Sequence, residues 1–149
     1  MRGLQFPSHV IFRPVFFMEN LLTPYFLNGD KIYSTLDPAT SLQMIAVDDI
    51  GTFIAHAFTQ PDRLNRREID LAGDAVTLPQ AAATLGTAFG RKIEYVRIPI
   101  EGVRKNSEDY AIMLEWFDRV GYDVDIEALG REFGIEAMKL ADWARSRRP

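Results

Sequence analysis

Short runs of β-type residues alternate along this chain with stretches of helical periodicity, and that alternation restricts the fold more than any other feature. Phe6 to Phe12 is rich in β-formers, and Val10, Ile11 and Phe12 make a continuous apolar run that reads as a buried strand stopped by Pro14. Ile50, Phe53, Ile54, Ala57 and Phe58 repeat at helical spacing, with Asp48 or Asp49 as the cap and Gln60-Pro61 as the stop. Glu68 to Leu71 alternates polar with apolar residues and runs into a turn at Gly73 and Asp74. Thr77, Pro79 and Gln80 have the spacing of a capping box with proline in the first turn, which predicts a helix to Gly90. Lys92 to Pro99 reads as a strand. From about Glu101 the chain reads as helices over Tyr110 to Val120, Asp125 to Phe133 and Ile135 to Arg147, divided by Gly121 and Gly134. Between the first strand and the first helix, Leu21 to Leu36 reads as a loop with one short hairpin around Lys31 to Tyr33, turned at Asn28-Gly29 and closed by Asp37-Pro38. The class is α/β. Three strands are few for a free-standing parallel sheet.

Composition narrows what such a fold can do. The 149 residues are enough for one domain with a substantial core, and 47% apolar with 26% charged residues is ordinary for a globular protein. There is no cysteine, which removes disulfides, thiolate metal sites and a thiol nucleophile. A net charge of −4 argues against a nucleic-acid partner, because neutralising phosphates needs a basic face. The dense basic run of Arg145, Arg147 and Arg148 reads as a solvated, frayed helix end that complements the dipole. Arg13, Glu19 and Asn20 break up the apolar opening, so it suits neither a bilayer span nor a secretory signal. The expectation is a soluble, cytoplasmic protein with no membrane partner.

Few motifs carry chemistry. Gly86 with Gly90, and Gly130 with Gly134, fall on helices rather than in a strand-to-helix turn, so neither pair makes a dinucleotide fingerprint. None of Tyr25, Tyr33, Tyr95, Tyr110 and Tyr122 has a lysine four positions later, so the proton-transfer pair of short-chain dehydrogenases is missing from these residues. His9 and His56 lack partners at ligand spacing, and no metal site is expected; His56 reads as a helix-surface residue or a satisfied core residue. Trp116 and Phe117, at helical intervals from Met113 and Val120, read as core rather than a ligand cage. No catalytic residue is assigned.

One segment after another nevertheless follows a family pattern. Arg13, Pro14, Phe17, Glu19 and Asn20 match the series arginine-proline-x-x-phenylalanine-x-glutamate-asparagine. Val47 to Gly51 opens a helix, Ile69 to Asp74 forms a strand and turn, Leu85 and Gly86 precede Arg91 to Tyr95, and Trp116, Phe117, Gly121, Tyr122, Asp125, Asp142 and Trp143 close the order. The chain resembles the NmrA-like family of atypical short-chain dehydrogenases/reductases over nearly its whole length. The resemblance implies the last strands of a partial Rossmann-type sheet with an α-rich substrate-side lobe, in a chain without the glycine-rich dinucleotide-binding half that precedes the arginine-proline segment in the family. It implies NAD(P) as cofactor, not bound tightly by these residues alone. Pro14, Val15, Phe16 and Phe17 would lie near the nicotinamide, and Asn20 and Tyr25 would start the wall of a pocket for a small apolar substrate. Unpaired strand edges would favour a homo-oligomer or a complementing N-terminal half. Two functions remain open, an NAD(P)-dependent oxidoreductase or cofactor-sensing regulator, and a non-enzymatic module that binds a small ligand or a protein. Neighbours in an extended segment point to opposite sides, so Phe16 and Phe17 should divide between core and pocket, with Phe17 assigned to the pocket on the family pattern.

Overall fold

The computed structural model of the protein describes residues 8–147. Phe6 and Arg148 lie outside the described residues. Along the chain come β1 (Ile11–Pro14), β2 (Phe16–Phe17), a 3-10 turn (Met18–Leu22), the hairpin of β3 (Leu27–Asn28) and β4 (Lys31–Ser34), and β5 (Ser41–Ile45). Helices α1 (Val47–Thr59) and α2 (Pro61–Leu64) follow, then β6 (Glu68–Leu71), β7 (Asp74–Thr77), α3 (Leu78–Phe89) and β8 (Glu94–Arg97). The chain ends with α4 (Ile100–Asn106), α5 (Glu108–Arg119), α6 (Ile126–Phe133) and α7 (Leu140–Ser146).

The β structure forks. β1 runs parallel to β6, with Ile11 opposite Glu68 and Pro14 opposite Leu71. Beyond Val15 the two ribbons part and β5 enters between them, parallel to β2 and antiparallel to β7. The fork is stitched by Val15 N–H donating to Leu71 O at 3.1 Å and Gly73 N–H donating to Met44 O at 2.8 Å. A third sheet has the order β3-β4-β8, with β4 and β8 parallel. The sheets divide the core in two. One core holds Phe16, Met18, Leu42, Leu85, Leu114 and Trp143. The other holds Val15, Ile45, Phe53, Leu71, Leu129 and Phe133. Period-2 alternation sends Val15 into the second, Phe16 into the first, and Phe17 back against the second.

Several expectations hold. The Thr77–Gln80 capping box is complete, with Gln80 N–H donating to Thr77 Oγ1 and Thr77 N–H to Gln80 Oε1, and α3 ends at Gly90 in the left-handed conformation. The hairpin turns at Gly29, whose φ of +58° suits glycine. The helix expected over Asp125 to Phe133 is α6, and the structure shows Asp125 as its cap, accepting from Ala128 N–H.

Others need correction. β1 is not a buried strand: Ile11 is 37% exposed, and among the described residues β1 pairs with β6 alone. β5 adds a strand in a stretch to which no element is assigned from the sequence, and β7 adds one directly after the expected turn at Gly73 and Asp74. Neither Asp48 nor Asp49 caps α1. The helix starts at Val47, whose N–H donates to both carboxylate oxygens of Glu19 at 3.2 Å. Asp49 turns away and accepts from Met138 N–H at 2.8 Å; its burial, outweighing that hydrogen bond, pushes its pKa above the usual carboxylate value. The last helix begins at Leu140 rather than Ile135, because backbone N–H groups ahead of it are held elsewhere. Met138 N–H goes to Asp49 and Leu140 N–H to Asp74, while Lys139 Nζ donates to Gly73 O at 2.7 Å. Gly73 lets the chains approach closely at this crossing, since a Cβ there would sit 3.1 Å from Met138 O and 3.2 Å from Ala137 Cβ and would need these neighbours to give by a few tenths of an ångström. Arg147 does not fray into solvent; it pairs with Asp48 at 2.9 Å.

Glu19 is the centre of this network, because it also accepts at 3.0 Å from the indole Nε1–H of the fully buried Trp143. Glu19→Ala strands a helix-start N–H and a buried indole N–H, and should cost about 2–4 kcal/mol in chemical denaturation. Glu19→Gln keeps an acceptor oxygen and should lose less than half as much. Equal losses for the two variants would show that the carboxylate is not acting as this acceptor.

Candidate functional site

Where β1 and β2 end, the chain does not enter a helix of ordinary length but a 3-10 turn and an irregular segment, Thr23 to Phe26. This leaves a cavity of about 960 Å³ between the strand ends on one side and α4, α5 and Tyr122 on the other. Ligands in open α/β sheets bind outside the carboxyl ends of the strands, and a large, mostly apolar concavity is the default binding site. Pro14, Val15, Phe16, Phe17, Asn20 and Tyr25 all line this one cavity. The structure therefore brings together the six residues that the family resemblance assigned to the nicotinamide and the pocket wall. Phe16 is 6% exposed and anchored in the core, while Phe17 is half-buried, and both residues line the cavity.

The opposite wall was not anticipated as a site. It consists of Val103, Asn106, Ser107, Tyr110, Met113, Phe117 and Tyr122. At helical spacing such residues carry the same signal as core, and Phe117 does serve both purposes: it is buried, packs edge-on to Phe16 at 6.3 Å and contacts Tyr122 at 5.4 Å. Phe26 meets Phe16 at 5.3 Å, so the floor is an aromatic cluster. Trp116 stands behind it against Tyr122 at 5.1 Å.

Not one of the fifteen lining residues is Asp, Glu, Lys, Arg or His. Much of their polar capacity is already used within the protein. Thr23 Oγ1 donates to Asn20 O, Asn106 Nδ2 donates to Gly102 O, and Ser107 Oγ accepts from Tyr110 N–H at the start of α5. Burial raises the pKa of the Tyr110 and Tyr122 phenols above the ordinary tyrosine value, so both keep their protons at neutral pH. Tyr25, 87% exposed, stands at the rim.

Other features are less suited to chemistry. A smaller cavity of about 570 Å³ beside α6 carries Glu127, Arg131, Glu136 and Lys139 on its walls. His56 lies edge-on to Phe133 at 5.5 Å, and its buried Nε2 has no hydrogen-bond partner among the described residues, so it is neither a satisfied core residue nor simply a surface one. Among the described residues no cluster of three or more metal-ligating side chains occurs, and no helix is long and apolar enough to cross a membrane.

A parallel strand pair opening onto an apolar cavity, flanked by helices, defines a mixed α/β protein of the Rossmann type. The chain belongs to the NmrA-like family, whose profile matches residues 2–145. Festuclavine dehydrogenase of Aspergillus fumigatus is 31% identical over 101 residues, which cover 64% of this chain and 34% of that protein. The crystal structure of NmrA, a negative transcriptional regulator in complex with NAD, superposes with a TM-score of 0.73 at 19% identity, covering 99% of this chain and 54% of that one. An NADPH-dependent quinone oxidoreductase from Escherichia coli gives a TM-score of 0.73 at 20% identity, covering 93% of this chain and 55% of that one. The chain thus spans about half the length of these solved structures and about a third of the curated relative.

The different seating of the two phenylalanines is measurable. Phe16→Ala should cost about 3–5 kcal/mol in chemical denaturation, as for a large core truncation, whereas Phe17→Ala should cost about 1 kcal/mol. Equal large losses would contradict a role for Phe17 at the cavity wall.

Proposed function

We propose that this chain supplies the substrate-side part of an NAD(P)-linked protein of the NmrA-like family, an oxidoreductase or a cofactor-sensing regulator. The observation that carries this reading is the uncharged cavity at the ends of β1 and β2, whose strand side is built by Pro14 to Phe17. A nicotinamide seated against that wall would supply or accept a hydride. The chain's own part is to exclude water, through the rings of Phe16, Phe17 and Phe117, and to present Asn20 and Tyr25 to a small apolar substrate. NmrA bound to NAD and the NADPH-dependent quinone oxidoreductase share the fold, which supports a dinucleotide as the cofactor.

The fit is partial. The wall suits the uncharged ring end of a dinucleotide, but no basic side chain lines the cavity and no glycine-rich turn occurs in the sequence to place backbone N–H groups around a pyrophosphate. Among the described residues β1 pairs on one side only, and its other edge would be completed by a strand from a complementing dinucleotide-binding half or from a second copy, because an unpaired edge presents open N–H and C=O groups. A non-enzymatic ligand-binding module is the second reading. It is favoured by the lack of any ionised side chain among the lining residues to serve as acid or base.

Calorimetric titration of the 149-residue chain with NAD+, NADH, NADP+ and NADPH should give weak binding or none, for want of a pyrophosphate anchor. A dissociation constant in the low micromolar range for any of the four would overturn this division of labour between ring site and anchor.

A further inference from the structure

The cavity holds two polar groups that the fold itself does not use. Tyr110 and Tyr122 both line it and are half-buried, and neither hydroxyl has a hydrogen-bond partner among the described residues. Tyr95 behaves differently. Its hydroxyl donates into the Ser34 and Leu36 carbonyls, it stands outside the cavity, and burial pushes its pKa up to about 12. Neither hydroxyl of Tyr110 and Tyr122 is sealed from solvent, so water can serve as its partner. A ligand that displaces this water leaves an O–H unpaired in apolar surroundings, at a cost in free energy, unless it accepts from it.

The rest of the lining limits what can enter. Four phenylalanines, Phe16, Phe17, Phe26 and Phe117, offer ring faces and edges that suit a flat, polarisable molecule. No lining side chain carries a charge, so an ionised ligand would be stripped of water with nothing to pair it. Asn20 can both donate and accept, so it does not discriminate. A phenol that keeps its proton favours an acceptor, because its oxygen lone pair is drawn into the ring.

We propose that Tyr110 and Tyr122 determine specificity in this cavity by donating hydrogen bonds to an acceptor oxygen on an uncharged, flat, largely apolar ligand of the aryl-carbonyl class. This rests on the reading of the cavity as the substrate site, and it names the substrate class. Tyr110 stands on the first turns of α5 and Tyr122 beyond its end, so the two phenols approach from different elements. The fixed seat of Tyr122 between Trp116 and Phe117 gives its ring little freedom to reorient.

Three probes of matched shape separate the contributions: 2-acetonaphthone, 2-ethylnaphthalene without the acceptor, and 2-naphthoate with a charge. Equilibrium dialysis at pH 7.5, without nucleotide, reads each dissociation constant for the wild-type chain and the Tyr110→Phe/Tyr122→Phe variant. The wild-type chain should bind the ketone at least about tenfold more tightly than the carboxylate, because the anion enters unpaired. The double variant should bind the ketone about five- to tenfold more weakly and the hydrocarbon within about twofold of wild type. Retention of the carboxylate as tightly as the ketone would overturn the proposal. So would equal weakening of ketone and hydrocarbon, which marks a packing role, an unchanged ketone affinity in the variant, or no retention of the ketone at all. Because no nucleotide is present, a failure here leaves the dinucleotide titration untouched, and tight nucleotide binding would leave this result standing.

Discussion

One carboxylate organises the structure around the cavity. Glu19 lies in the turn after β2 and accepts from the backbone of Val47, 28 residues on, and from the indole of Trp143, 124 residues on. It thereby starts α1, seats α7 and fixes the turn whose next residue, Asn20, reaches the cavity. Asp49 and Asp74 do the same work on a smaller scale by holding the amides of Met138 and Leu140. A carboxylate with several lone pairs can satisfy backbone donors from distant parts of the chain, and a partly buried donor without a partner is costly. The C-terminal residues are therefore brought against the turn after β2 by specific acceptors as well as by apolar area.

With that frame fixed, the cavity follows from what the strands do at their ends. Val15 and Phe16 anchor opposite cores, so the backbone between β1 and the 3-10 turn cannot shift without opening one of them. The strand-side wall is rigid for this reason. The far wall, on α5 and at Tyr122, is rigid because Phe117 is shared between cavity and core. A preformed cavity of this kind loses little ordering entropy when a ligand enters, and its selectivity comes from the few polar atoms that the fold leaves unused.

Much of this was legible in the sequence, for reasons that differ by element. The capping box at Thr77 and Gln80, the alternation in β6 and the glycine that ends α6 are local signals, and local signals survive folding. β5 carries an equally plain alternation, in which Leu42 and Met44 are buried and Ser41 is exposed, but it is a short run between the Asp37-Pro38 turn and α1, and no element is assigned there from the sequence. The start of α7 could not be read, because residues 135–139 stay out of the helix, with Met138 N–H held by Asp49 and Lys139 Nζ by Gly73 O, and Asp74 takes Leu140 N–H at the helix start. The strand-side wall, Pro14 to Phe17 with Asn20 and Tyr25, came from the family pattern. The far wall did not, because Tyr110, Met113 and Phe117 fall on one face of α5 and read as core. A half-buried tyrosine without a partner for its hydroxyl is visible only in three dimensions.

The two tryptophans offer the most direct check on a rigid frame that leaves an uncharged cavity open. Trp143 is fully buried and hydrogen-bonded to Glu19, whereas Trp116 packs against Tyr122 at the cavity. In a 1H–15N spectrum their two indole N–H signals can be followed together during titration with 2-acetonaphthone. The Trp116 signal should move progressively as the neighbouring rings respond, while the Trp143 signal stays in place and exchanges slowly with solvent. A Trp116 signal that never moves, or a Trp143 indole that exchanges as fast as an exposed one, would contradict a rigid frame around an open cavity.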